Sequence, residues 1–101
     1  AIRVIIMPRR IVIKRAGSPS VLDIQDMKMP IANSDEVCIE VHFAGINFAD
    51  TLMRLGLYQP RPDYPFTPGY ELSGVVHEVG ANVLAFKVGQ RVVAAVIIMV
   101  K

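Results

Sequence analysis

Alternating hydrophobic and polar residues predict that this chain is built mainly from β-strands. After Glu36 the alternation is regular, with Val37, Ile39, Val41 and Phe43 on one side and the residues between them on the other. This is the pattern of a half-buried strand. Further strands are predicted at 11–13, 21–27, 70–79 and 91–100, separated by turns or loops at 16–19, 30–35, 80–82 and 89. Repeated short strands with regular turns are typical of a β-barrel or a β-sandwich.

The hydrophobic period changes once, and there it predicts a helix of about two turns. Asn47 can cap such a helix, and Asp50 follows three residues later. Phe48, Leu52 and Leu55 share one helical face. One or two short helices are therefore expected in an otherwise β fold, and without alternating strand–helix units a parallel α/β sheet is not expected.

Glycine and proline mark the end of this helix and the stretch that follows. Gly56 lies where a left-handed residue ends many helices. Prolines then occur at positions 60, 62, 65 and 68, and they stiffen the backbone and cannot donate hydrogen bonds to a sheet. We expect this stretch to be an ordered loop.

Composition fits one globular domain over residues 1–101. Hydrophobic residues make up 52% and charged residues 20% of the chain, which argues against disorder. A net charge of +2 is too small to indicate nucleic-acid binding. The longest apolar run, at 92–100, is much shorter than the roughly 20 residues of a membrane span. Because Cys38 is the single cysteine, an internal disulfide is excluded, and we expect a cytoplasmic protein.

Three polar side chains and one repeated apolar segment receive structural interpretations. Cys38 is expected to be a small buried hydrophobic residue. His42 and His77 lack acidic or cysteine partners at metal-ligand spacing and are expected to be structural or surface residues. The sequence of Val4–Met7 occurs again near the C-terminus as Val96–Met99. Two such strands could pair at a barrel edge or between subunits.

Three stretches together resemble the quinone-oxidoreductase branch of the medium-chain dehydrogenase/reductase superfamily. They are AGINFAD at 44–50 followed by RLGLY at 54–58, PFTPGYELSGVV at 65–76, and VGANV at 79–83 followed by FKVGQRV at 86–92. The resemblance covers roughly residues 10–95, which leaves the segments 1–8 and 96–101 atypical. It identifies the chain as the N-terminal GroES-like catalytic domain of a zinc-free quinone oxidoreductase, and it implies a partly open β-barrel.

The resemblance also implies the chemistry of a site. Asn47 and Tyr70 stand where alcohol dehydrogenases of the superfamily have zinc-ligating cysteine and histidine, and neither is a normal zinc ligand. Asn47, Tyr58 and Tyr70 are therefore the implied catalytic residues for hydride transfer from NADPH to a quinone or enone, without a metal. Asn47, Asp50 and Glu71 are the implied cofactor-binding residues. No residue is assigned as a general acid, and the proton is expected from solvent.

In this family a Rossmann domain forms the opposite wall of the cleft. The glycines of this chain contain no Gly-x-Gly pair, so the dinucleotide fingerprint is absent. We therefore expect the Rossmann domain to be missing, NADPH not to bind tightly, and the isolated chain to be inactive. The chain is then either a fragment or a barrel whose ends have been altered.

Each implied role has a structural alternative. Asn47 and Asp50 can simply start a helix, Tyr58 and Tyr70 can anchor the packing of the proline-rich stretch, and Glu71 can pair with an arginine. The alternative function is a non-enzymatic, free-standing β-barrel module, conceivably engineered, that associates with itself through its terminal strands. Partners other than a small quinone or enone substrate and a second copy, such as nucleic acid or membrane, are not expected.

Overall fold

The computed structural model of the chain describes residues 8–59 and 61–95. These residues form two compact units. Within the described ranges, the first unit contains residues 8–29, 48–59 and 61–68, and the second contains residues 30–47 and 69–95.

The first unit combines a β-hairpin with a helix. Strands β1 (Arg9–Ile13) and β2 (Leu22–Asp26) pair antiparallel, and a 3-10 helix over Pro19–Val21 lies between them. The helix α1 spans Phe48–Leu55. The buried hydrophobic side chains of this unit come from β1, the 3-10 helix, α1 and the proline-rich stretch: Val12, Ile13, Val21, Met53 and Phe66. The predicted strand at 21–27 therefore begins one residue late, because the N–H of Val21 closes the 3-10 turn on the carbonyl of Ser18.

The helix α1 is found where the sequence predicts it, but its predicted apolar face is not the buried one. Phe48 is 76% exposed and Leu55 is also exposed, whereas Met53, one residue beyond Leu52, is buried. Met53 is the helix residue that packs into the core. Tertiary packing, rather than the number of apolar residues on a helical face, decides which face of α1 is buried.

The second unit is an antiparallel sheet in the order β3–β4–β5. Its strands are β3 (Val37–Ala44), β4 (Glu71–Val79) and β5 (Arg91–Ala95). Among the described residues of this sheet, Val76 is the buried hydrophobic one. The strand predicted at 91–100 is described only as far as Ala95, and the identical segments Val4–Met7 and Val96–Met99 lie outside the described residues.

The prediction of regular alternation along β3 is wrong in its second half. The register of β3 and β4 skips His42 in one strand and His77 in the other, which marks two bulges. A bulge inserts an unpaired residue and bends the strand, so alternation does not continue across it. Val41 and Phe43, on either side of the bulge at His42, are 50% and 77% exposed.

The remaining predictions about class and environment can now be compared with the structure. The mainly β fold is confirmed, and its two sheets are not closed into a barrel within the described residues. Cys38 is half-buried rather than buried, with its Sγ 3.8 Å from the carbonyl oxygen of Pro30. No helix among residues 8–59 and 61–95 is long and apolar enough to cross a membrane.

Candidate functional site

The predicted site residues are divided between the two units. Asn47, Tyr70 and Glu71 belong to the second unit, whereas Asp50 and Tyr58 belong to the first. All except Glu71 are half-buried, and Glu71 is exposed. The geometry of the site is therefore built up separately for each unit.

Asn47 and Asp50 occupy the start of α1. The helix begins at Phe48, so Asn47 stands at the capping position, and Asp50 lies in the first turn. The Oδ1 oxygen of Asp50 is buried. A carboxylate in the first turn is favoured by the helix dipole. These positions agree with the structural alternative for both residues.

Glu71 is held against the chain segment that leads to Asn47. The N–H of Gly45 donates to the carbonyl oxygen of Glu71 at 3.2 Å. A Cβ atom at Gly45 would overlap the Glu71 side chain, including its Oε1, Cγ and Cδ atoms. The glycine is therefore required for the carboxylate to lie over the backbone two residues before Asn47.

A cleft of about 210 Å³ lies beside this contact in the second unit. It is lined by Phe43, Gly45, Glu71, Leu72, Ser73 and Val93. Of the predicted site residues, Glu71 contributes to the lining. The cleft therefore places one carboxylate among mostly apolar groups and an exposed aromatic ring.

Tyr58 follows directly on the C-terminal turn of α1 in the first unit. Sequence analysis did not single out two residues that organise the chain after it, Arg61 and Tyr64. The Tyr64 hydroxyl donates to the carbonyl oxygen of Met53 at 3.1 Å, and the guanidinium of Arg61 lies 4.2 Å from the Tyr64 ring centre. The sequence signal was weak, because an arginine three residues before a tyrosine in a proline-rich stretch has no established meaning.

Side chains that could together bind a metal ion do not cluster in the described ranges. Residues 8–59 and 61–95 contain no cluster of three or more His, Cys, Asp or Glu side chains. His42 and His77 are both exposed and lie at the bulges of the β3–β4 pair. The amide of Asn47 and the phenol of Tyr70 are hydrogen-bonding groups.

Comparison with known proteins agrees with the motifs in the sequence. The family described as "Alcohol dehydrogenase GroES-like domain" matches residues 33–101. A quinone oxidoreductase-like protein 2 of Rattus norvegicus is 51% identical over 72 residues, which are 71% of this chain and 21% of the relative. The quinone oxidoreductase of Mus musculus is 43% identical over 77 residues, which are 75% of this chain and 23% of the relative.

The fold agrees as well. The structure of the Escherichia coli quinone oxidoreductase in complex with NADPH aligns with a TM-score of 0.82 and 39% identity, covering 87% of this chain and 27% of that one. The chain thus spans about a fifth to a quarter of the relatives it matches. The chain belongs to the GroES-like domains of the medium-chain dehydrogenase/reductase superfamily, and its relatives are quinone oxidoreductases.

Proposed function

We propose that this chain forms the substrate-side wall of an NADPH-dependent quinone or enone reductase. The observation that carries the proposal is the likeness to the Escherichia coli enzyme solved with NADPH, with a TM-score of 0.82 over 87% of the chain. The chain matches 27% of that enzyme. The activity is therefore proposed for a complete site of which this chain supplies one part.

Asn47, Tyr58 and Tyr70 would orient the acceptor. An amide N–H and a phenol O–H can each donate a hydrogen bond to a quinone or enone oxygen, which gains negative charge as hydride arrives. Neither group is a normal zinc ligand. We therefore propose catalysis by positioning, without zinc.

The second unit offers a partial fit for NADPH. The Glu71 carboxylate over Gly45 can accept hydrogen bonds from ribose hydroxyls, and the amide of Asn47 can donate or accept one. The same carboxylate would repel a phosphate group. These residues therefore fit the nicotinamide-ribose end of the cofactor and not its pyrophosphate. Bound NADPH would supply the hydride.

A chain that holds the reactants from one side of the cleft alone is expected to show little turnover. Holding two reactants in a productive geometry can be worth about 7–11 kcal/mol of the barrier, provided that both are held. A fluorescence titration of the 101-residue chain with NADPH should therefore show no saturable binding, and the chain should not accelerate NADPH oxidation by 1,4-naphthoquinone. Saturable binding with turnover would show that this chain, alone or as an oligomer, builds a complete site.

A chimera provides the positive test. The segment of the Escherichia coli enzyme that matches this chain is replaced by the corresponding residues of this chain, and NADPH oxidation by 1,4-naphthoquinone is measured. We expect activity, and we expect Asn47→Ala to lower kcat/KM by about fivefold or more, as the loss of a hydrogen bond worth about 1 kcal/mol would do. Removing metal with EDTA should leave the rate unchanged.

The control for this substitution is Asn82→Ala. Asn82 is an exposed asparagine whose Nδ2 donates to Asp35 at 3.2 Å, outside the proposed site. It should leave kcat/KM unchanged. A folded chimera without quinone reduction would refute the proposed function, and equal effects of the two substitutions would refute the role of Asn47.

A further inference from the structure

Both ends of the segment from Leu57 to Tyr64 are hydrogen-bonded to the last turn of α1. At its start, the N–H of Leu57 donates to the carbonyl oxygen of Leu52 at 2.8 Å. At its end, the Tyr64 hydroxyl donates to the carbonyl oxygen of Met53 at 3.1 Å. Neighbouring carbonyls of the last helical turn thus hold both ends of this stretch, whose described residues, 57–59 and 61–64, we call the Tyr58 loop.

Two side chains, those of Arg61 and Phe66, pack against Tyr64 at the far end of the Tyr58 loop. The Arg61 guanidinium lies 4.2 Å from the centre of the Tyr64 ring, within the range of a cation–π interaction. The ring of Phe66 lies 5.5 Å from that of Tyr64, at 33°. Phe66 is itself buried and exchanges backbone hydrogen bonds with Ile13 of β1. Tyr64 is therefore anchored to the core of the first unit.

The Arg61 side chain also makes a hydrogen bond within this loop. Its Nη1 donates to the carbonyl oxygen of Pro62 at 3.2 Å, and its Nε is buried without a hydrogen-bond acceptor in the described part of the chain. A buried guanidinium nitrogen is costly unless other contacts compensate for it. The stacking on Tyr64 is the compensating contact that the structure shows.

We propose that Tyr64 and Arg61 are positioning residues for Tyr58. The inference rests on the proposed function only for the statement that Tyr58 faces the substrate. Tyr58 directly follows Leu57, so its backbone is fixed on one side by the helix end and on the other by a loop that Tyr64 closes. Fixing both ends removes conformations that would carry the ring away from its half-buried position.

The test uses the 101-residue chain labelled with 13C on its tyrosine rings. The chain has three tyrosines, so each ring signal can be assigned by substitution. In Tyr64→Phe, which removes only the hydroxyl, the Tyr58 ring signals should move toward those of free tyrosine. Backbone amides of the Tyr58 loop should exchange about fivefold faster, as the loss of one hydrogen bond predicts. The Tyr70 ring signals, in the other unit, should not change.

Arg61→Met is the second variant, and it should move the Tyr58 ring signals in the same direction by removing the stacking. Thr67→Val is the matched control, because it removes an exposed hydroxyl from the same proline-rich stretch. Unchanged Tyr58 signals in both variants would overturn the proposal. Equal changes at Tyr58 and Tyr70, with loss of cooperative unfolding, would overturn it too, since they would show a general structural role.

The chimera separates this proposal from the proposed function. In an active chimera, Tyr64→Phe should raise the KM for 1,4-naphthoquinone about threefold to fivefold and leave the KM for NADPH unchanged. An unchanged quinone KM would overturn the positioning of Tyr58 toward substrate. An inactive chimera would refute the proposed function, while the ring signals of the chain would still decide whether Tyr64 and Arg61 fix Tyr58.

Discussion

Gly74 and Gly80 occupy positions at which a methyl group would overlap the backbone of a neighbouring segment. A Cβ at Gly74 would overlap the carbonyl group of Glu40 in β3, and a Cβ at Gly80 would overlap the backbone of residues 33 and 34. Both glycines are buried. At the scale of the residue, close approach of two chain segments thus explains these glycines without any role in phosphate binding.

Gly74→Ala is expected to destabilise the chain. The added methyl group must displace backbone rather than a mobile side chain, and such overpacking typically costs about 1–3 kcal/mol in the free energy of unfolding. Urea denaturation followed by circular dichroism measures the change. Ser73→Ala, at the neighbouring half-buried position of β4, serves as the control and should change the free energy of unfolding by about 0.5 kcal/mol or less. Equal losses in the two variants would contradict the steric explanation.

At the scale of the element, a single glycine determines where helix α1 ends. Gly56 has a φ of +76°, and its N–H donates to the carbonyl oxygen of Met53 at 3.1 Å. Together with the bond from Leu57 to Leu52, this is a Schellman motif. The sequence predicts this helix end correctly because the signal is local.

Gly56→Ala and Gly56→Asn should destabilise the chain to different degrees. Alanine in the left-handed region costs about 1–2 kcal/mol, and its Cβ would lie only 3.1 Å from that of Ala16. Asparagine tolerates the left-handed conformation better. We therefore expect a larger drop in the thermal midpoint for alanine than for asparagine. The reverse order would show that crowding around the larger asparagine side chain, rather than backbone strain, dominates.

At the scale of the element, strand β3 differs from the end of α1, because its burial could not be predicted from local signals in the sequence. Its alternation predicts one buried face, yet Phe43 is 77% exposed. Two bulges interrupt the alternation, and their positions depend on the pairing of β3 with β4, 27 or more residues later in the chain. A period in one strand cannot reveal where its partner skips a residue.

For the molecule as a whole, the sheet of the second unit leaves apolar side chains exposed. Val41, Phe43 and Val93 are 50%, 77% and 82% exposed, and Phe43 and Val93 both line the cleft that contains Glu71. Neighbouring exposed apolar groups of this kind mark surfaces that bind another molecule or another part of a protein. They also promote association of the chain with itself.

Phe43→Ser is accordingly expected to lower association without loss of stability. Little apolar burial is removed, so the free energy of unfolding should change by about 0.5 kcal/mol or less. Binding of a hydrophobic dye and the concentration dependence of the mass in solution should both fall. Val76→Ser, at a buried position, is the contrasting variant and should destabilise the chain strongly. Unchanged dye binding in Phe43→Ser would show that this residue is not part of an adhesive surface.

The sequence by itself determined the strand-rich class, the helix after Asn47, its end at Gly56, and the family. These features depend on short-range signals or on motifs read in order. It could not determine that Met53 is buried while Phe48 is exposed, that Glu71 lies over Gly45, or that Tyr64 closes the Tyr58 loop onto Met53. The tertiary structure decided these features, because burial and hydrogen bonding between distant residues depend on the path of the chain and not on the period of any one segment.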